Sequence, residues 1–480
     1  MSTADTAPVS TPAAAFLAAL SRDVDDEVII TDADIIAGYA HDQSRFTDRG
    51  TPAAVLAPRT TEQVAACMSA AHRLGVAIVP RGVGSGLSGA ANAIDGSVVL
   101  SLHRMNRILS IDPANRVAVV QPGVVTSELR AAAAASRLFY PPDPGSVDFS
   151  TLGGNIATNA GGMCCVKYGV TADFVLALKV VLADGRVLRT GHRTVKGVAG
   201  YDLTRLFVGS EGTLGIITEA TMRLVSTPHP AHTLVAPFPH VTGAGRAVTA
   251  IIEAGLTPSM LEILDHTTVR AVDAMTRMGL GDDVQALLLI QSDDPDAAHV
   301  LRRIEQLCLD HGAGETAISD NPGEGAMLLE ARRLALPTLE QLGDWLLDDV
   351  CVPLTKVTPL IESIELIADR HALTIGVFGH AGDGNLHPTI IYDERDPASR
   401  NSALAAFNDI TRCALELGGT VTGEHGVGRL KKQWLAAELD GTAFAVHLAV
   451  KQALDPQHIL NPSAVFDTTP DPTTERPTNP

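Results

Sequence analysis

Three glycine-rich loops, each bordering short apolar runs, constrain this chain more than any other feature. The first spans Gly82 to Gly89, the second Gly153 to Gly162, and the third Gly209 to Gly215. Glycines in succession let backbone N–H groups turn into one shared concavity, which suits a pyrophosphate. Gly84-Ser85-Gly86-Leu87-Ser88-Gly89 literally fits G-x-G-x-x-G, but a nucleotide site of that class needs the loop to open directly into a helix. Here only Ala90 to Ile94 precede Asp95-Gly96 and the next strand. A Rossmann arrangement is therefore set aside, save as a minor alternative. Arg81 and Ser85 can add charge and a hydroxyl to the first loop. In the second, small side chains permit close approach to a flat ligand, with Asn155, Thr158 and Asn159 free to bond its heteroatoms.

The surrounding pattern alternates expected helices with short strands. Thr61 to Leu74 reads as a helix, with Thr60 or Thr61 as cap and Gly75 beyond its end. Val76 to Val79 reads as a buried strand closed by Pro80, Ser97 to Leu102 and Val117 to Val120 as further strands, and Ser127 to Ala135 as a helix. Ala177 to Leu182 and Val187-Leu188 flank Asp184-Gly185 as a hairpin. Near residues 225–230 the texture changes: glycine clusters thin out and helical patterns alternate with strands such as Ala286 to Ile290.

The chain has 480 residues, which gives a soft prior of about three domains. Its formal charge is −19, with no basic run to offset it, so nucleic acid is not an expected partner. An anionic substrate needs a locally positive site. Six cysteines without a C-x-x-C pair exclude a disulfide scaffold and fit a reducing, cytoplasmic setting. Cys164-Cys165 reads as two small residues in a tight loop rather than a redox pair. Residues 1–15 lack the basic start of a signal peptide, and there is no transmembrane run. The Pro/Thr-rich end, 467–480, reads as a disordered tail.

A second cluster lies late in the chain. Gly379-His380-Ala381-Gly382-Asp383-Gly384-Asn385-Leu386-His387 is followed by Gly423-Glu424-His425-Gly426-Val427-Gly428. Histidines and carboxylates among glycines point to an accessible site and not to core packing. Two imidazoles and one carboxylate make a first shell for a divalent ion with open positions.

Residues from about 50 to 228 resemble the FAD-binding domain of the vanillyl-alcohol oxidase/p-cresol methylhydroxylase family. The resemblance rests on Pro80-Arg81-Gly82 through Gly89, Pro142-Asp143-Pro144-Gly145, Gly153 through Gly162, and Gly209-Ser210-Glu211-Gly212-Thr213-Leu214-Gly215. It implies an α+β fold: a two-subdomain FAD-binding domain plus a C-terminal α+β substrate domain. The expected division is 1–49 as a helical N-terminal part of the FAD domain, 50–228 as that domain, 229–455 as a substrate and metal cap, and 456–466 as a return to the FAD domain. Cofactor contacts are expected from Pro80, Arg81, Gly82, Val83, Gly84, Ser85, Gly86, Ser88, Gly89, Pro144, Gly145, Gly153, Gly154, Asn155, Thr158, Asn159, Gly161, Gly162, Glu211, Gly212, Gly215, Ile216 and Ile217. Some relatives attach FAD through a His or Cys near the first loop. Gly82 to Gly89 holds neither, so non-covalent FAD is expected.

The late cluster is similar to the C-terminal domain of the flavin-dependent D-2-hydroxyacid dehydrogenases: D-lactate dehydrogenases, the glycolate oxidase flavin subunit and D-2-hydroxyglutarate dehydrogenase. That resemblance implies His380, His387 and Glu424 as ligands of zinc, manganese or iron, and His425 as the base. It implies Arg332, in Glu330-Ala331-Arg332-Arg333, as the clamp for the substrate carboxylate; a solvated helix face is the alternative. It places Asn461 near the flavin. Asp344 to Val352 lacks the lysine of the hydroxyglutarate enzymes, which favours a shorter, lactate- or glycolate-like acid. Alternatives are D-2-hydroxyglutarate oxidation, a non-redox enzyme like alkyl-dihydroxyacetonephosphate synthase, and a flavoprotein subunit without chemistry of its own. The implied acceptor is a quinone, a cytochrome or an electron-transfer flavoprotein. A homodimer and a place peripheral to the inner membrane are compatible with this reading.

Overall fold

In the computed structural model, residues 12–467 are described, apart from 195 and 278 and the stretch 280–282. Most of the expected tail and the first eleven residues lie outside the described residues.

Helix Thr61–Leu74 has the predicted ends: the Thr60 side chain accepts from Gln63 N–H, and Gly75 adopts φ 64°. Only a residue tolerant of left-handed backbone can end a helix this way. The helix packs on a four-stranded sheet ordered Ile29–Ile30, Ala54–Leu56, Val98–Ser101, Ile78–Arg81, in which the last three strands are parallel. Pro80 lies within its strand instead of closing it. This is tolerated because the strand is at the sheet edge, where a missing N–H breaks no ladder. After Gly89 no helix forms before Val98, so the Rossmann alternative fails.

A five-stranded antiparallel sheet follows, ordered Ile108–Asp112, Val117–Val120, Ile216–Arg223, Val175–Val181, Val187–Gly191. The Asp184-Gly185 hairpin is present, with Gly185 at φ 87°. The second glycine stretch is not a loop throughout: Leu152–Thr158 is a short helix ended by Asn159 at φ 55°. Small residues there shorten the distance from the helix to its neighbours. A Cβ on Gly153 would meet Pro122 at 2.5 Å.

From His232 onward the strands join an eight-stranded antiparallel sheet. Its order is Ala317–Ser319, His232–Phe238, Ala286–Ser292, Met260–Asp265, Thr374–His380, Asn385–Tyr392, Asp344–Leu347, with Val350–Cys351 also paired to Asn385–Tyr392. Alternation along these strands divides the side chains between two faces. Leu261, Ile263, Val377 and Ile390 point into a core built with helices Val241–Glu253, Ala297–Asp310, Val357–His371 and Pro397–Glu416. Leu264, Trp345, Leu347 and Phe378 point the other way, into a smaller cluster that Leu87 of the first glycine loop also touches. The chain finally returns: Ile78 N–H donates to Ile459 O and Asn461 N–H donates to Ile78 O, which sets Ile459 to Asn461 alongside the Ile78–Arg81 strand.

Candidate active site

A cavity of ≈ 860 Å³ runs between the glycine loops and the far face of the eight-stranded sheet. That is near the top of the ~300–1,000 Å³ span of ligand pockets. Of the expected cofactor residues, Pro80 to Gly86, Ser88, Pro144, Gly145, Gly153, Gly154, Asn155, Thr158, Glu211, Gly212, Gly215, Ile216, Ile217 and Asn461 line it. Gly89, Asn159, Gly161 and Gly162 do not.

The first loop fits an anion. Among the described residues, the backbone N–H groups from Val83 to Ser88 have no hydrogen-bond partner, and all six residues face the cavity. A row of unpaired N–H groups is a cradle for phosphate oxygens. Gly84 is required at φ 81°, where an added Cβ would strike the Arg81 guanidinium. Arg81 has one guanidinium nitrogen engaged within the protein: its Nη1 donates to His41 O at 2.8 Å. The second segment differs from the expectation of three free side chains. Asn155 Nδ2 donates to Thr126 Oγ1, Thr158 Oγ1 donates to Gly154 O, and Asn159 Oδ1 accepts from Ala172 N–H. Buried polar atoms without partners do exist elsewhere in the lining: Thr151 Oγ1 and Asn461 Oδ1. Asn461 Nδ2 meanwhile donates to Ala90 O and Glu211 O.

The opposite wall carries the late cluster. His380 and His387 are not exposed on a loop but buried on adjacent strands, facing across a turn through Gly384 at φ 77°. His387 is paired with Phe378, two residues before His380, so both rings share one sheet face, 5.1 Å apart. Glu424 comes in from the Gly423–Gly428 turn. Its Oε1 lies 3.3 Å from Nε2 of His380 and 3.3 Å from Nε2 of His387. Two bonds of ~2.0–2.2 Å at a tetrahedral angle would separate ligand atoms by about 3.3–3.6 Å, so this donor set fits a divalent ion. Space for the carboxylate depends on Gly161, where a Cβ would fall 2.5 Å from Glu424 Oε2. The His425 ring stacks on His387 with centroids 5.0 Å apart.

Arg332 is buried, which excludes a solvated helix face; Arg333 is the exposed one, 3.7 Å from Glu330. Two carboxylates missed in the sequence organise this wall. Glu262, fully buried, accepts from Arg332 Nε at 2.7 Å through one oxygen and contacts His380 Nδ1 at 2.7 Å through the other. The ladder explains the contact. Ile263 pairs with Gly379 and Leu264 with Phe378, and continuing that register sets Glu262 opposite His380. Asp349 accepts from the N–H groups of Glu424 and His425 at 2.9 and 2.8 Å, from Thr422 Oγ1 and from Asn385 Nδ2. It lies 3.7 Å from His387 Nδ1, an otherwise unpartnered buried atom.

The charges follow from this packing. Burial works against ionised Glu262, but the His380 and Arg332 charges hold its carboxyl below the ordinary range. Burial likewise opposes ionised Glu424, and His380 with His387 holds it well below its usual value. For His380 burial favours the neutral ring, yet Glu262 and Glu424 together push its pKa well above the ordinary imidazole. His425 goes the other way: burial lowers its pKa despite the Asp349 charge, so the ring is neutral at neutral pH. The positive charges of Arg332 and His380 are thus matched by Glu262 and Glu424, so these four buried groups together carry no net charge.

Residues 52–191 match the family described as "FAD binding domain", and residues 227–465 match "FAD linked oxidases, C-terminal domain". The glycolate oxidase subunit GlcD of Bacillus subtilis is 43% identical over 418 residues, covering 86% of this chain and 89% of its own. The chain belongs to the FAD-linked oxidases. A D-lactate dehydrogenase of Anaerostipes hadrus is 32% identical over 456 residues, covering 92% of this chain and 96% of its own. The fold is that of the vanillyl-alcohol oxidase/p-cresol methylhydroxylase group. The structure of p-cresol methylhydroxylase with substrate bound superposes with TM-score 0.76 at 17% identity, over 94% of this chain and 96% of that one. The protein is thus an FAD-dependent oxidoreductase. Among the described residues, no helix is long and apolar enough to cross a membrane.

Proposed function

We propose that this protein oxidises a small D-2-hydroxy acid, lactate- or glycolate-like, to the 2-oxo acid and passes the electrons to a non-oxygen acceptor: a quinone, a cytochrome or an electron-transfer flavoprotein. The observation that carries the reading is the grouping of Arg332, His380, His387, Glu424 and His425 on one wall of the cavity, facing the glycine loops. FAD, held without a covalent bond, supplies the hydride acceptor. A zinc, manganese or iron ion held by His380, His387 and Glu424 supplies a Lewis acid that lowers the pKa of the substrate hydroxyl.

The chain's own residues do the rest. Arg332 keeps Nε and Nη2 on Glu262. Its Nη1, which has no partner among the described residues, is left to donate to the substrate carboxylate. His425, neutral because it is buried, takes the hydroxyl proton on a ring nitrogen. Asp349 fixes the backbone of the turn on which His425 stands. Leu336, Trp345, Leu347 and Phe378 line the cavity with apolar surface, which suits a short or apolar substituent better than a second carboxylate.

The test is anaerobic mixing of holoprotein with D- and L-2-hydroxy acids, followed by flavin absorbance, then turnover with a dye acceptor with and without chelator. Bleaching by D-lactate or glycolate, lost on chelation, is the expected result. A non-redox enzyme would leave the flavin yellow with every acid. His425→Asn should keep FAD and metal but bleach roughly 10²–10⁴-fold more slowly. A wild-type rate in that variant removes His425 as the base.

A further inference from the structure

We propose that Glu211 is a positioning residue: through its carboxylate, the third glycine loop holds the turn that presents Glu424 and His425. The inference rests on the proposed role of that turn and adds how it is held.

Each consecutive backbone N–H from Glu424 to Leu430 has a named acceptor, and the acceptors come from two sides. Asp349 takes Glu424 and His425, and Thr422 Oγ1 takes Gly426. Then the other side takes over. Glu211 Oε1 accepts from Val427 at 2.8 Å and Oε2 from Gly428 at 2.9 Å, and Ser88 O accepts from both Arg429 and Leu430. Ser88 Oγ also donates to His425 O at 3.1 Å. The fit is close: a Cβ on Gly426 would meet the Glu211 carboxyl at 2.9 Å, and one on Gly428 would meet Ser88 O at 2.1 Å. The turn is therefore held from both walls of the cavity.

Glu211 is placed for this task at some strain. It has φ 49°, between Gly209 at φ 76° and Gly212 at φ 70°, in the region where glycine is favoured. A non-glycine residue there is explained by its side chain, whose two carboxylate oxygens are buried directly against the turn. Its own backbone is fixed from behind, N–H to Ala157 O and carbonyl from Asn461 Nδ2. The loops that line the flavin cavity and the turn that carries the base and a metal ligand thus form one hydrogen-bonded unit. Displacing either shifts the other.

Glu211→Gln in the holoprotein tests this. The amide keeps the size of the side chain but sets an NH2 against one of the two N–H donors. FAD content should be unchanged. Burial pushes the Glu211 carboxyl up to about 7, so above that pH, where it is ionised, hydrogen exchange of the Val427 and Gly428 amides should accelerate by roughly 10-fold or more, the loss of one bond to a charged acceptor. Flavin bleaching at saturating substrate should slow by a similar factor, with the half-saturating concentration moving less than about 2-fold, because Arg332 is untouched. Wild-type exchange in residues 424–430 would overturn the proposal. So would loss of FAD with a wild-type bleaching rate per bound flavin, which would make Glu211 a cofactor contact only. If Glu211→Gln does not accumulate as holoprotein, Glu211→Asp withdraws the carboxylate from the Val427 and Gly428 N–H groups by one methylene and should speed exchange of the same amides. Wild-type exchange there overturns the proposal equally. The exchange readout needs no chemistry from His425, so a wild-type rate in His425→Asn sinks the base assignment and leaves this comparison intact.

Discussion

Glu262 offers the sharpest test of how the cap wall is organised. It is wholly buried, and its two oxygens serve different partners: Oε2 takes Nε and Nη2 of Arg332, both at 2.7 Å, and Oε1 faces His380 Nδ1 at 2.7 Å. A carboxylate behind a ligating imidazole fixes the ring and raises its basicity, and losing it typically weakens metal binding ~10–100-fold. Each hydrogen bond to a charged group is worth about 1.5–3 kcal/mol. Glu262→Gln keeps the volume but can accept at only one end. The NH2 must then face either His380 or Arg332, and the guanidinium loses its counter-charge. The expected result is metal affinity down ~10–100-fold together with a raised half-saturating substrate concentration. Glu262→Ala is harsher, since a buried guanidinium left unpaired costs about 3–5 kcal/mol, read as a lower Tm. Metal affinity is measured by stripping the holoprotein with chelator and titrating zinc back, and the substrate effect by flavin bleaching. If Glu262→Gln binds zinc as tightly as wild type and saturates at the same substrate concentration, the carboxylate is not the link between ligand and clamp.

Three other outcomes follow. Acid precipitation should release yellow flavin into the supernatant; flavin staying with the pellet would show a covalent bond that the first loop gives no reason for. Glu424→Ala should purify with FAD but without stoichiometric metal, and full metal content by elemental analysis would refute His380, His387 and Glu424 as the ligand set. Asp265 caps helix His266–Thr276, and burial pushes its carboxyl up to about 6 from 3.8. A raised folded value means stability present below the unfolded pKa and lost as pH climbs through about 6, here about 3 kcal/mol over two units. Asp265→Asn keeps the cap and removes the charge, so it should gain on wild type as pH rises from about 4 to about 6 and hold that gain above it, and Tm curves parallel across that window would refute the argument.

Glycine punctuation made the flavin side readable because its meaning is steric and local. Gly75, Gly84, Gly185 and Gly212 stand at φ values between 64° and 87°, and only such a residue relieves the chain there. The same small residues misled at Leu152–Thr158, where lack of bulk served helix packing against Pro122 instead of leaving a loop. Asn155 and Asn159 look free in the sequence because it shows a polar side chain but not its partner. Thr126 and Ala172, the partners, are set by tertiary placement.

The grouping of His380, His387, Glu424 and His425 was legible because His, Glu and Gly rarely cluster without chemistry. Their supports were not, because each lies alone in another part of the chain. Glu262 does leave a trace: it is the one carboxylate in the interior of Met260-Leu261-Glu262-Ile263-Leu264, a strand buried at every position. An acid at such a place must be paired. The partner could be named only from the register of that strand with Thr374–His380, which pairs residues more than a hundred apart. Asp349 is concealed in the same way within Leu347-Asp348-Asp349-Val350. There Lys431 neutralises Asp348 at 2.6 Å and leaves Asp349 free to hold the turn at Glu424 and His425. A local motif can thus announce which side chains gather at the cavity, whereas the groups that hold them there are fixed by pairings that no local pattern encodes.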